Sequence, residues 1–439
     1  MKIKVAISTS DLSNLNHKTA VVSSPRPLTL IVPAQNPQLI APGEKIIAAS
    51  KSGALEIQVV GRGKRGRLIK SSSAIVKAEP TSHLVLEDLK RADAKGGSIP
   101  VYEGELLLQA RDGNLRLTLV CELETYLSGV LESEIPGSYH LEAIKAQAVA
   151  ARTYALNPRI SHEADGANVC DSYLCCQYFA GHLRGARGRH KQAIDATRGQ
   201  ILLYNEKPIL ALFSSNAGGH TENYENCFSD PVSGAFPPEP LAYLKGVPEG
   251  NLPEAFKEGK SEEGLKALWS LKSAVTADSW SPHFRWQVSL AASALEGQMH
   301  HIIEQMMAQR DMAPFIVPPP SDTFGHIDRF EIEARGVSGQ AIKMLIHTSK
   351  GCWQVSKELV IRSVFRNPET HLVRLKSARI FFEHKRDKLN LLSEVTIRGL
   401  GWGHGVGLQQ TGAQGWALKG RKHTEILMHY FRDAHIGKI

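Results

Sequence analysis

Residues 123–156 read LETYLSGVLESEIPGSYHLEAIKAQAVAARTYAL. Leu123, Leu127, Val130 and Leu131 recur at the spacing of one helical face, so a helix is expected over 122–132. Pro136-Gly137 breaks it. A second helix is expected from His140 to Leu156, with Leu141, Ile144, Ala148, Ala151 and Ala155 as its inner stripe. Its alanines favour the helix and allow close packing, and Pro158 ends it.

Outward from this helical pair the texture is mostly β. Upstream, Lys2–Ile7, Leu55–Val59 and Leu115–Leu119 alternate polar and apolar residues, the last after a turn at Asp112-Gly113-Asn114. Strands of this kind keep one face in solvent and point to antiparallel sheet. Downstream, strands are expected at Gln200–Tyr204 and Ile209–Phe213, and again at 327–332, 341–346 and 379–382. Residues 228–255 form a loop excursion, helices follow at 260–272 and 290–310, and Pro318-Pro319-Pro320 is a stiff connection. Five glycines within 399–407 make a contorted loop, a helix begins near Leu408, and Thr424 is placed to cap a last helix. The fold class is α+β, with an antiparallel β-rich N-terminal region and a mixed helix and strand body around a central groove. The organisation read here is a β-rich module at 1–95, a core at 96–230 and 321–439, and an inserted loop and helical region at 231–320.

Composition narrows the function classes. The chain has 439 residues, 42% apolar and 22% charged, which excludes wholesale disorder and a fibrous repeat. No apolar run is long enough to span a membrane, and Met1-Lys2-Ile3 opens no signal peptide. The chain is therefore either cytosolic or a mature form with an added start Met. The net charge of +8 suits an anionic partner: nucleic acid, an acidic envelope polymer or a membrane surface. Arg62, Lys64, Arg65, Arg67 and Lys70 carry part of it, as a solvated hairpin or as a binding arm. No aromatic residues interleave them, which argues against stacking on single-stranded nucleic acid.

Four groups of residues can carry chemistry. Glu132 and Glu134 sit at a helix C-terminus, where the dipole opposes an anion. A carboxyl raised there from about 4.3 to about 6 is protonated roughly 9% of the time at pH 7 instead of about 0.2%, which suits a general acid. The alternative is a solvated charge. His162, Cys170, Cys175 and Cys176 can close a tetrahedral zinc site, or Cys170 can form a disulfide with a neighbour. Four protein ligands leave no open position, so such a zinc is structural. Ser214-Ser215-Asn216-Ala217-Gly218-Gly219-His220-Thr221 is a tight turn or a kit for gripping sugar hydroxyls. Gly403-His404-Gly405 presents a histidine as base, ligand or donor, or is a packing solution that only glycine fits. No Ser-His-Asp context, phosphate-binding loop, dinucleotide fingerprint or HExxH motif occurs.

Taken in order, LETYLSGVLESEIP (123–136), EAIKAQAVAARTYAL (142–156), VCDSYLCCQYFAG (169–181), ATRGQILLYN (196–205), SSNAGGHTEN (214–223) and RGLGWGHGVGLQQTGAQGWALKG (398–420) resemble the sporulation stage II protein D / amidase-enhancer family, also called SpoIID/LytB. The resemblance covers about 100–435 and is weak at 1–95 and at 230–320. It implies a SpoIID-like catalytic body and lytic cleavage between N-acetylmuramic acid and N-acetylglucosamine in peptidoglycan, leaving 1,6-anhydro ends. One Glu serves as acid and then base; it maps onto Glu134, and such a reaction needs no second carboxylate. The resemblance further implies substrate contacts at Ser214, Ser215, Asn216, Gly218, Gly219, Thr221, His404 and Gln410, with Arg152 of the second helix. Zinc in some members maps onto Cys170 and Cys176; Cys175 stands where those members have His, and the upstream ligand is then His162. No cofactor is required for the chemistry. His220 replaces a common Arg, and Leu408-Gln409 replaces Met-Ser. The implied partners are peptidoglycan strands and a cell-wall amidase, with no nucleic acid and no membrane span. The implied location is the periplasm or the exterior. A non-catalytic glycan binder that activates an amidase is the alternative; a zinc hydrolase is disfavoured by the coordinatively full metal loop.

Overall fold

The structure, a computed structural model, describes residues 1–61, 64–66, 68–79, 82–91, 97–160, 162–182, 188–256, 261–271, 276–321, 323–366 and 372–439, with 64 and 65 by backbone alone. The chain divides into two compact units, Met1–Leu210 with Ile436–Ile439, and Ala211–His435. The fold is α+β.

The first unit is built on two seven-stranded sheets. In one, Lys2–Ala6 lies antiparallel to Asn114–Glu122, which continues into Glu105–Arg111 and Ser73–Ala78. On its other edge Lys2–Ala6 takes Val169–Cys170 as a parallel neighbour, with Ala6 opposite Cys170. The N-terminal strand thus holds the start of the cysteine loop by backbone hydrogen bonds. Period-two alternation does what the pleat requires: Leu115, Leu117 and Leu119 are buried on one face of their strand. Three helices complete the unit: α1 (Leu123–Glu134), α2 (Leu141–Ala155) and α3 (Arg189–Ala196). Gly129 of α1 faces Phe179, where a Cβ would come within 2.4 Å of the ring. Only glycine lets that phenylalanine seat against the helix, and its full burial is worth about 1.5–3 kcal/mol. Arg62 and Arg67 of the basic stretch lie outside the described residues; Lys64–Arg65 pair with the strand Ala54–Gly61, and exposed Lys70 pairs with Glu56 at 3.1 Å.

The second unit packs a four-stranded sheet (Ile316–Val317, Gly351–Ser356, Ala341–Thr348, Ile327–Arg335) and a three-stranded one (Arg285–Ala291, Leu392–Leu400, Ile380–Arg386) around Trp353, Phe330, Phe365 and Phe382. Its helices are α4 (Glu262–Ser270), α5 (Ala292–Met307), α6 (Glu358–Ser363), α7 (Gln410–Leu418) and α8 (His423–Tyr430).

Two expectations change. Ile209–Phe213 is not one strand: Lys207–Pro208 pair with Gln200–Tyr204, whereas Phe213–Ser214 pair in parallel with Leu408–Gln409. A buried apolar run looks like a strand in sequence even when its two ends join different partners. The last helix begins one residue before Thr424, with Lys422 as its N-cap, whose backbone N–H donates to the Glu425 carboxylate at 2.8 Å.

Candidate functional site

In the first unit α1 ends at Ile135, which is extended (φ −134°) because the following Pro136 disfavours the helical region. Glu134 is the last helical residue and is half-buried. The cysteine loop returns along this corner. Gln177 donates its amide to the Tyr126 hydroxyl and the Ala151 carbonyl, both at 3.1 Å. Tyr178 N–H donates to Glu134 Oε1 at 2.7 Å, and Ala180 N–H to Ser133 Oγ at 3.1 Å. From α3, His190 Nε2 donates to the Ile135 carbonyl at 2.9 Å. Helix end, return loop and α3 together fix the carboxylate's position.

The four expected metal ligands do come together: the ligand atoms of His162, Cys170, Cys175 and Cys176 lie within 4.8 Å of one another. His162 Nε2 is 3.4 Å from both the Cys175 and the Cys176 sulfur. A tetrahedral zinc with arms of about 2.0 Å to nitrogen and 2.3 Å to sulfur sets that separation near 3.6 Å, so the set fits. Asp165 supplies an outer support that the sequence reading missed. Its carboxylate accepts from His162 Nδ1 at 3.1 Å and is held by Arg116 at 3.3 Å, which turns Nε2 toward the sulfurs. All six cysteines are unbridged, so the disulfide alternative is not formed. The crowding of sulfur is itself informative. Cys170 and Cys175 push the Cys176 thiol well up, whereas hydrogen bonds from Cys170, Cys176 and His162 hold Cys175 well down. A cation relieves that conflict by accepting all the thiolates.

Asp171, beside the first cysteine, anchors the loop. It is fully buried, pairs with Arg91 at 2.6 Å, and accepts from Ser8 N–H and Oγ at 2.8 and 2.5 Å. Arg152 is equally buried and its donors are committed: Nε and Nη2 to Glu124 at 3.0 and 2.8 Å, Nη1 to the Gln200 carbonyl at 3.0 Å. This corrects its expected place among substrate contacts, because it braces α2 against α1 from inside.

In the second unit the two glycine-containing loops interlock. Asn216 and Trp402 form an antiparallel bridge, and Glu222 and Val406 a parallel one. Gly218 has φ +60°, and a Cβ there would meet Leu400 at 2.7 Å. Asn216 is 1% exposed; its amide donates to the Asp278 carbonyl and Thr411 Oγ1 and accepts Gly218 N–H. Thr221 is closed onto Val247, and Ser214 Oγ bonds Gln409 and Gly405 N–H. His404 is an inner brace. Its Nε2 donates to the Phe213 carbonyl at 3.0 Å and its Nδ1 accepts Val406 N–H at 3.0 Å, while burial pushes its pKa down to about 4. With both nitrogens engaged it is neutral and available neither as base nor as ligand. Gly219 is buried, with its N–H donated to Asp278 Oδ2 at 2.9 Å. Of the expected contacts in this unit, Ser215, His404 and Gln410 keep partial exposure, and the others are buried.

Sequence reading missed the charges beneath these loops. The Glu222 carboxylate accepts from Val337 and Ser338 N–H, Ser338 Oγ, Asn223 N–H and Asn226. Burial raises Asp278 and, more strongly, Glu249, and pulls Arg379 down to about 10. Spacing gives no hint of them, because they meet only through the tertiary fold.

Residues 111–204 match the Stage II sporulation protein (SpoIID) family, and residues 230–407 match a domain of unknown function, DUF8618. The chain is similar to the amidase enhancer of Bacillus subtilis (strain 168), 27% identical over 70% of this chain and 39% of that protein. It is also similar to stage II sporulation protein D of the same organism, 25% identical over 85% of this chain and 87% of that protein. The corresponding protein of Bacillus amyloliquefaciens is 28% identical over 72% of this chain and 74% of its own length. The chain thus spans well under half of the amidase enhancer and most of the sporulation proteins. No helix among the described residues is long and apolar enough to cross a membrane. The chain thus carries a Stage II sporulation protein (SpoIID) domain at 111–204 and is similar over most of its length to proteins named stage II sporulation protein D and amidase enhancer.

Proposed function

We propose that the chain is a peptidoglycan lytic transglycosylase acting in the cell envelope. The observation that carries this reading is the placement of Glu134: a single carboxylate at a helix end, oriented by the Tyr178 N–H at 2.7 Å. In the proposed reaction Glu134 gives its proton to the glycosidic oxygen as the bond to the muramic anomeric carbon breaks. The muramic C6 hydroxyl attacks that carbon and returns its proton to Glu134, so no water is consumed and a 1,6-anhydro ring closes. Within the second unit, Ser215 and Gln410 are offered to sugar, with Ser214, Asn216, Gly218, Gly219, Thr221 and His404 shaping the backbone behind them. His162, Cys170, Cys175 and Cys176 hold a structural zinc, which ties together the loop that ends on Tyr178; no step of the reaction uses it. Mass spectrometry of muropeptides after digestion tests the reading: anhydro-muramyl ends support it, and reducing ends overturn it.

A second reading is a glycan-binding activator of a cell-wall amidase, favoured by the 70% of this chain that aligns with an amidase enhancer. Stimulation of a purified amidase that survives Glu134→Gln, with no glycan cleavage by the native chain, would select it.

A further inference from the structure

Three tryptophans of the second unit, Trp286, Trp353 and Trp416, are buried, but Trp280 and Trp402 are 49% and 41% exposed. Both flank the same corner. Trp402 is bridged through its backbone to Asn216, whose side chain reaches the Asp278 carbonyl and Thr411, and Trp280 Nε1 donates to the Thr411 carbonyl at 3.1 Å. Neither indole is loose. Trp280 is pinned by that hydrogen bond. Trp402 packs edge-to-face with His283 at 4.3 Å between centroids, and the Lys376 ammonium lies 5.3 Å from its ring. The turn that carries Trp280 and His283 is itself fixed: Ser281 N–H donates to the Asp278 carbonyl and Phe284 N–H to the Ser281 carbonyl, while Gly401 N–H closes onto the Phe284 carbonyl.

Large apolar rings held rigid and left open to solvent are the surfaces that bind, because little conformational freedom remains to be lost. The C–H faces of pyranose rings match such a surface, and the polar loop beside it supplies groups for their hydroxyls. We propose that Trp280 and Trp402 form a stacking platform for a hexosamine ring of the glycan strand. The proposal rests on the reading that this chain acts on peptidoglycan glycan. It also gives a task to the part of the chain outside the SpoIID match, since both tryptophans lie within 230–407.

The test uses the full chain carrying Glu134→Gln, so that strands bind without being cut, and titrates tetra-N-acetylchitotetraose against tryptophan fluorescence and by calorimetry. Trp280→Ala and Trp402→Ala are each expected to weaken binding about three- to tenfold, and Trp280→Phe, which keeps a ring but no N–H, to recover most of it. Thermal unfolding of each variant separates lost binding from lost fold, and the Phe variant carries the test if the Ala variant unfolds. Binding equal to the parent in folded Ala variants overturns the platform while leaving the transglycosylase reading intact. No binding of any glycan by the parent overturns both. Dimerisation of the parent in sedimentation, abolished by Trp280→Ala and unaffected by glycan, would assign the patch to a second copy and overturn the proposal.

Discussion

The backbone N–H of Tyr178 donates to Glu134 Oε1 at 2.7 Å, joining the end of α1 to the loop that carries the cysteines. An amide in place of the carboxylate preserves this contact, since Gln offers a carbonyl acceptor of the same reach. Glu134→Gln is therefore expected to keep the fold while lowering strand cleavage by about 10²–10⁴-fold. Turnover of isolated glycan strands, followed by mass spectrometry, checks it, and unchanged turnover removes Glu134 as the acid.

The sulfur cluster is expected to hold about one zinc per chain, measured by elemental analysis of protein purified without added metal. His162→Ala and Cys176→Ser should lose the metal and lower the melting temperature. Asp165→Asn should weaken zinc affinity by about 10–100-fold without abolishing it, because it touches the ligand and not the ion. Metal-free protein with Cys170 in a disulfide would refute the assignment.

Arg152 offers a test of interior bracing against ligand contact. Arg152→Met leaves Glu124 unpaired and should destabilise the first unit by about 2–4 kcal/mol, less than a wholly dry pair because Glu124 keeps some solvent. Urea unfolding measures this, and Glu124→Gln in the same chain should restore part of it. A variant of native stability with lost glycan binding would return Arg152 to the substrate surface.

His404 gives stability a pH dependence of known sign. Its pKa falls from 6.5 to about 4 on folding because burial disfavours the charged ring. Between those values the unfolded chain binds a proton that the folded chain does not. The stabilisation is complete above pH 6.5 and is lost as pH falls toward about 4. Burial raises Glu249 and Asp278, which acts in the opposite sense on acidification, so the single-site difference is the quantity to measure. The stability advantage of the native chain over His404→Gln should shrink by about 2 kcal/mol between pH 6.5 and 4. A flat difference in urea titrations would show that the ring titrates normally.

What the sequence made legible follows from range. Helical periodicity placed α1 and α2, and alternation placed the strands through Leu119, because each depends on neighbours a few residues away. The clustering of Cys170, Cys175 and Cys176 announced a ligand set for the same reason. His404 was misleading in one respect. Flanking glycines say that a side chain is sterically unhindered, but not whether it turns outward or inward, and here Phe213 and Val406 capture both nitrogens. Arg152 was invisible as a brace because Glu124, 28 residues earlier, becomes its partner only when two helices pack. Asp165 could have been found: a carboxylate three residues after a candidate histidine ligand is within reach of its second nitrogen.

The last residues of the chain belong to the first unit. His435–Lys438 forms the third strand beside Gln200–Tyr204, and Ile439 N–H donates to the Gly199 carbonyl at 3.0 Å. A ribosome that has released residues 1–210 has therefore not yet supplied everything that unit requires. Its small sheet waits on more than two hundred intervening residues, so that sheet closes only after the whole second unit has been synthesised.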